Sequence, residues 1–282
     1  MEEKKLLLVD GSNLLFQMFY GMPSRIVNKD GKAIHGTLGF VGAFLKIIRL
    51  VNPSHIVVFF DGECQNGRKL LNSDYKANRV DYSMMAEEDT PFSQMPDVYK
   101  ALDFMGIRHT ETTFCETDDV IASYALKYGK DNKIIIASFD SDFFQLINSN
   151  VSVLRYRGDK TIICEEDYIV NKYGISANQY ADFKALVGDN SDNIKGANKV
   201  GPKTASLLLK EFGSLNNLLD NVDKINKKSI KESIFKDKER LKLNYKLIKL
   251  EDKNVYPFRI EELISEELNV TTTEVLKRIG LK

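Results

Sequence analysis

Three short aliphatic runs, each followed closely by an aspartate, constrain this chain more than any other feature. Residues 6–9 read LLLV before Asp10-Gly11, residues 55–60 read HIVVFF before Asp61-Gly62, and residues 133–137 read KIIIA before Ser138-Phe139-Asp140. Short apolar runs rich in β-branched residues and bounded by turn signals are the pattern of strands buried on both faces. Between them lie helical periods at 40–51, 97–105 and 118–128, the last with Val120, Ile121, Tyr124, Ala125 and Tyr128 on one face. Buried strands alternating with amphipathic helices predict an α/β fold, a mainly parallel central sheet flanked by helices. In such sheets ligands gather beyond the carboxyl ends of the strands, where the three aspartates would lie.

Two segments depart from this rhythm. Residues 62–95 are polar, with Gly62, Gly67, Pro91 and an adjacent methionine pair but no sustained period, the mark of a functional or mobile connection. From about residue 178 the strand pattern stops, Pro202 reads as a helix start, and the chain is expected to be all-helical. The 282 residues allow one large or two modest domains, here an α/β domain over 1–177 and a helical region over 178–282. Cys64, Cys115 and Cys164 form no CxxC pair, so free thiols in a reducing cytoplasm are expected, without zinc or disulfides. His35, His55 and His109 have no metal-ligand spacing and read as structural. No apolar run nears the roughly 18 residues of a membrane helix, which makes a soluble cytoplasmic protein the expectation.

Forty Lys/Arg against forty Asp/Glu give zero formal charge, which excludes nucleic-acid binding through bulk charge alone. The distribution is uneven, because residues 195–249 hold fourteen Lys/Arg and six Asp/Glu. That excess reads as a basic footprint for a polyanion, the alternative being a solvated lysine-rich helical face.

The compensating acids have their own pattern. Asp10, Asp61, Glu116, Asp118, Asp119, Asp140 and Asp142 fall at strand ends or at helix starts after them, and Asp189 and Asp192 share the loop GDNSDN. Each alone is accounted for by a turn or a cap. Nine carboxylates converging on one sheet edge would repel one another unless cations lie among them. Oxygen ligands without His or Cys select Mg²⁺ or Mn²⁺. Two such ions about 3.5–4 Å apart are a device for in-line phosphodiester hydrolysis. RKLLNSDYKANR (68–79) adds the cations Arg68, Lys76 and Arg79, with Tyr75 as a ring for base stacking.

LLLVDGSNLLF (6–16), VVFFDG (57–62), YKANR (75–79), ETDDVIAS (116–123), ASFDSDFFQL (137–146), ALVGDNSDNIKG (185–196) and KVGPKTASLLLKEFGSL (199–215) follow in order along nearly the whole chain. Together they resemble the 5′ nuclease and flap endonuclease family, in particular the 5′→3′ exonuclease domain of bacterial DNA polymerase I. The resemblance implies a PIN-like or resolvase-like sheet and a metal-dependent structure-specific 5′ nuclease. Its expected products are 5′-phosphate and 3′-hydroxyl ends, formed in primer or flap removal and repair. It implies one metal site among Asp10, Asp61, Glu116, Asp118 and Asp119 and a second among Asp140, Asp142, Asp189 and Asp192. Segment 62–95 would be a helical arch in which Tyr75, Lys76 and Arg79 act on the scissile phosphate. A helix-hairpin-helix-like element over 188–212 would grip the duplex, commonly with a K⁺ ion. The DNA-binding residues carried over are Arg68, Lys76, Arg79, Lys195, Lys199, Gly201, Lys203, Thr204 and Lys210.

Lys199 departs from the family, which commonly has glycine there. The implied partners are DNA with 5′ flaps, nicks or ends, RNA primers, and a separate polymerase beside a monomeric, stand-alone nuclease. Three other readings account for fewer of these residues. A PIN-like ribonuclease shares the acids but needs neither arch nor basic half. A haloacid-dehalogenase-type phosphatase requires an aspartate where Ser12 stands. A non-catalytic junction binder gains only repulsion from nine acids.

Overall fold

The computed structural model describes residues 4–63 and 67–281, so Cys64 lies outside the described residues. Strand β1 (Lys5–Asp10) runs straight into α1 (Gly11–Gly21). A Cβ at Gly11 would lie 2.6 Å from the Phe60 ring, so only glycine lets this turn pack so tightly on the neighbouring strand. There follow α2 (His35–Val51), β2 (His55–Asp61), α3 (Gly67–Leu71), α4 (Met95–Phe104), β3 (Arg108–Thr112) and α5 (Thr117–Tyr128). β4 (Lys133–Ala137), β5 (Val151–Arg155) and β6 (Ile162–Cys164) complete a six-stranded sheet in the order β3-β2-β1-β4-β5-β6. Every neighbouring pair is parallel except β5–β6. The chain winds outward from β1 to β2 and β3, then restarts on its other side at β4. The switch point, where such sheets bind ligands, therefore lies between Asp10 and the end of β4.

The period of two along each strand divides the core. Leu6, Leu8, Val57, Phe59, Ile134 and Ile136 face α5, whereas Leu7, Val9, Ile56, Val58, Phe60 and Ile135 pack with residues of α1, α2 and α4. β1, β2 and β4 are thus apolar on both sides, as the uninterrupted runs required.

The C-terminal part holds α6 (Glu166–Tyr173), α7 (Tyr180–Val187), β7 (Gly188–Asp189), β8 (Ile194–Lys195), α8 (Pro202–Phe212), α9 (Leu215–Asp220), α10 (Lys228–Ile248) and α11 (Thr272–Arg278). Residues of α7 to α10 share one continuous core with α5 and its face of the sheet. The chain then returns along the α/β part. The Tyr124 hydroxyl donates to the Phe258 carbonyl at 2.6 Å and accepts from its N–H at 3.0 Å, and Val275 of α11 is buried in the opposite core.

Two expectations are corrected. The described part of segment 62–95 is no helical arch: it contains the five-residue α3 and short 3₁₀ turns at Tyr82–Met84, Glu87–Asp89 and Pro91–Gln94. Its Gly, Pro and Asn-Ser-Asp content breaks any longer helix. The region after 178 is also not wholly helical, because β7 and β8 pair antiparallel around GDNSDN. No helix among the described residues is long and apolar enough to cross a membrane.

Candidate metal centre

Asp10 ends β1 and caps α1. Its Oδ1 accepts from the Asn13 N–H at 3.0 Å and its Oδ2 from the Ser138 hydroxyl at 2.8 Å. Burial, then the charge of Asp61, pushes its pKa up to about 7; those two hydrogen bonds hold it down and Asp140 raises it further. Asp118, in the first turn of α5, is raised well above the usual carboxylate range by burial and then by Asp140, with Lys76 opposing and Asp10 and Asp61 reinforcing. Asp142 rises to about 7 through burial and Asp140, against the Lys184 ammonium. Asp140 thus neighbours acids from β1, α5 and the turn after β4. The Asp140 side chain caps that turn, its Oδ1 accepting from the Asp142 N–H at 2.8 Å.

Asp142, Asp189 and Asp192 place carboxylate oxygens within 4.8 Å of one another, Asp142 and Asp192 being buried. Lys184, buried on α7, pairs with both Asp142 and Asp189. Burial disfavours its charge, yet those two carboxylates outweigh it and hold the ammonium protonated. Sequence reasoning missed this residue. Its signal was a lysine set between Phe183 and the apolar Ala185-Leu186-Val187, where a charge is tolerated only if paired.

The cationic turn lies against the same acids. The Lys76 ammonium is 2.8 Å from Glu116, and Arg79 is 3.0 Å from Asp192. Burial lowers the Lys76 pKa, but Asp118, Glu116 and Asp192 together raise it. Burial would raise Glu116, but Lys76 and then Arg68 hold it below its ordinary value.

Several expected placements change. Arg68, anticipated as a DNA contact, is 9% exposed: it pairs with Glu116, forks onto both Asp119 oxygens at 2.8 and 2.9 Å, and donates to the Leu247 carbonyl at 2.8 Å. Asp119 is correspondingly committed to Arg68. Tyr75 is 3% exposed within the core, so its ring is not available for stacking in this conformation. Lys195, Lys199, Gly201, Lys203 and Lys210 are exposed and Thr204 is half-buried. Part of the basic excess is neutralised locally, since Lys231, Arg240 and Lys242 pair with Asp223, Asp237 and Glu239. Lys199 adopts φ +61°, the left-handed conformation that glycine takes more readily. His35 and His55 are buried away from the acids, and Phe143 is fully buried.

The donors are carboxylates with no His or Cys among them, and burial together with neighbouring carboxylates raises Asp10 and Asp142 to about 7, Asp142 despite the Lys184 ammonium. That chemistry fits hard divalent ions.

Residues 5–174 match the family described as 5′-3′ exonuclease, N-terminal resolvase-like domain, and residues 175–271 match 5′-3′ exonuclease, C-terminal SAM fold. A 5′-3′ exonuclease of Aquifex aeolicus is 33% identical over 275 residues, 97% of this chain and 89% of the relative. DNA polymerase I of Streptococcus pneumoniae is 34% identical over 270 residues, so the chain, matched over 94% of its length, spans 30% of that polymerase. In fold, it resembles a bacteriophage T5 flap endonuclease solved as a pseudo-enzyme–product complex with DNA and metal ions: TM-score 0.72, 19% identity, 98% and 99% of the two chains covered. It also resembles the catalytic core of Rad2 in complex with DNA substrate, with TM-score 0.60, 17% identity and 98% and 86% covered.

Proposed function

The chain belongs to the 5′-3′ exonuclease family, and we propose that it is a metal-dependent, structure-specific 5′ nuclease acting on DNA near single/double-strand junctions. The observation that carries this is the meeting of buried carboxylates from β1, α5, the turn after β4 and the β7–β8 loop with the cationic turn 75–79. Asp10, Asp61, Glu116 and Asp118 would hold one Mg²⁺ or Mn²⁺, and Asp140, Asp142, Asp189 and Asp192 a second, with Asp119 beside the first committed to Arg68. Bound there, two ions supply Lewis acidity that favours ionised water and offsets charge on the leaving oxygen.

The remaining tasks fall to the chain. Lys76 and Arg79, whose partners are carboxylates the ions would take, turn to the scissile phosphate. Asn13 and Ser138 fix the rotamer of Asp10, while Lys184 fixes Asp142 and Asp189 relative to one another. Lys195, Lys199, Lys203, Thr204 and Lys210 form the duplex grip, with a K⁺ ion in the hairpin element as part of the same reading. The division of labour is an α/β nuclease domain over 1–177 and a helical DNA-binding region over 178–282. The products are 5′-phosphate and 3′-hydroxyl ends, on flaps, nicks or RNA primers, in cytoplasmic replication and repair.

The test is cleavage of a 5′-labelled flap duplex with Mg²⁺, beside a matched single strand and an EDTA control. Metal-dependent cutting at the junction is expected. Tight flap binding without cutting in Mg²⁺ or Mn²⁺ would overturn the catalytic reading.

A further inference from the structure

Residues 74–78 and 190–193 run antiparallel, and three hydrogen bonds join them. The Asn193 side-chain amide donates to the Asp74 carbonyl at 2.8 Å, and the Lys76 N–H donates to the Asp192 carbonyl at 3.0 Å. The Asn78 side-chain amide donates to the Asn190 carbonyl at 2.7 Å. The two side-chain amides thus bracket the backbone bond, each reaching from its own strand to the other. Lys76 and Asn193 both adopt φ +57°, a conformation that non-glycine residues keep only when their surroundings hold it.

We propose that Asn78 and Asn193 are positioning residues, a neutral clasp that fixes the cationic turn against the acid loop. The contacts across this seam are of two kinds. Lys76–Glu116 and Arg79–Asp192 are ion pairs, and on the nuclease reading they must exchange, the carboxylates going to metal and the cations to phosphate. The amide-to-carbonyl bonds use no group that either a divalent ion or a phosphate displaces. They keep the turn in place while the charged partners change hands. Lys76 then enters the reaction on a backbone already held, in place of a free four-carbon arm on a mobile loop. The role in cleavage rests on the proposed nuclease function; the clasp itself is a property of the free chain.

The variants are Asn78→Ala at an exposed position, Asn193→Gly, which accepts φ +57° but lacks the donor, and the double variant. Hydrogen exchange at the Lys76 amide in the metal-free protein reads the clasp. Single-turnover cleavage of the flap duplex with Mg²⁺, beside duplex affinity, reads its consequence. Losing one net hydrogen bond corresponds to about a fivefold change. Exchange should quicken about fivefold in each single variant and more than tenfold in the double, at low and high salt alike, since neutral contacts are not screened. Cleavage should slow about five- to tenfold while duplex affinity stays within about twofold. Unchanged exchange in the double variant would refute the clasp, and faster exchange with unchanged cleavage would refute its positioning role. A wild-type chain that fails to cleave with every divalent ion tested would overturn the nuclease reading and the positioning role with it, leaving exchange to decide the clasp alone.

Discussion

Removing Arg68 tests the assignment of this residue to the interior. Its guanidinium forks onto Asp119, pairs with Glu116 and donates to the Leu247 carbonyl, at 9% exposure. In Arg68→Ala, Asp119 loses both guanidinium bonds, while Glu116 keeps Lys76. Breaking a buried pair by deleting one partner costs about 3–5 kcal/mol, and the Leu247 carbonyl left behind adds roughly 1 kcal/mol where water reaches it. We expect about 4 kcal/mol of lost stability in urea unfolding at pH 7.5 without divalent ions, or a melting temperature lower by roughly 10 °C. Arg68→Lys should recover less than half, because an ammonium cannot reproduce the fork. The pH dependence has a definite sign. Burial raises the Glu116 pKa, but Lys76 and Arg68 depress it more, so its contribution is present above the unfolded value near 4.5 and lost as pH falls through the depressed folded value. The gap between wild type and Arg68→Ala should therefore narrow on acidification. A loss below about 1 kcal/mol, with a duplex-binding salt slope reduced by about one, would refute this account and make Arg68 a phosphate contact.

Asp142→Asn should abolish metal-dependent cleavage while flap binding by fluorescence anisotropy survives; wild-type activity in this variant would remove Asp142 from the centre. Asp10 and Asp142, both raised to about 7, bind more protons folded than unfolded between pH 4 and 7, so their contribution without divalent ions falls as pH rises across that window. Mg²⁺ should accordingly raise the melting temperature more at pH 8 than at pH 6, and an equal gain would contradict the raised carboxyls. Lys199→Gly should stabilise the chain by about 0.5–1 kcal/mol in urea through relief of the left-handed lysine, whereas destabilisation would show that the φ +61° turn is not strained. Lys203→Ala with Lys210→Ala should weaken duplex binding and flatten its salt dependence by about one unit of slope per lost phosphate contact. An unchanged slope would leave these lysines as a solvated face.

The interior of the sheet was legible in the sequence because strands covered on both faces cannot hide a polar residue. The runs at 6–9, 55–60 and 133–137 became β1, β2 and β4 within a residue at either end. β3, an edge strand reading RHTET, carries no such signature, and its hydrogen bonds with β2 rather than its composition make it a strand. The two-residue strands β7 and β8 fall below any periodicity. Carboxylate positions at strand ends were readable for the same reason as the strands. Their partners were not, since Arg68 and Lys184 reach the site from α3 and α7, and a cation's partner is fixed by tertiary packing. Tyr75 shows the limit from the other side: the sequence presents a ring in a polar segment, and the fold buries it under that segment.

The order of strands also dictates when activity can arise. The acids that meet at the sheet edge run from Asp10 to Asp192, and β1 is flanked by β2 on one side but must wait for β4 on the other. At a synthesis rate of about 5–20 residues per second, Asp192 follows Asp10 by roughly 10–40 s. A nascent chain can pair β1 with β2 well before then, but it lacks Asp142, Asp189, Asp192 and Lys184. On the proposed nuclease reading, a chain stalled on the ribosome before the β7–β8 loop would be inert, and the capacity to cut a phosphodiester would arise only when most of the shared core is ready to close behind it.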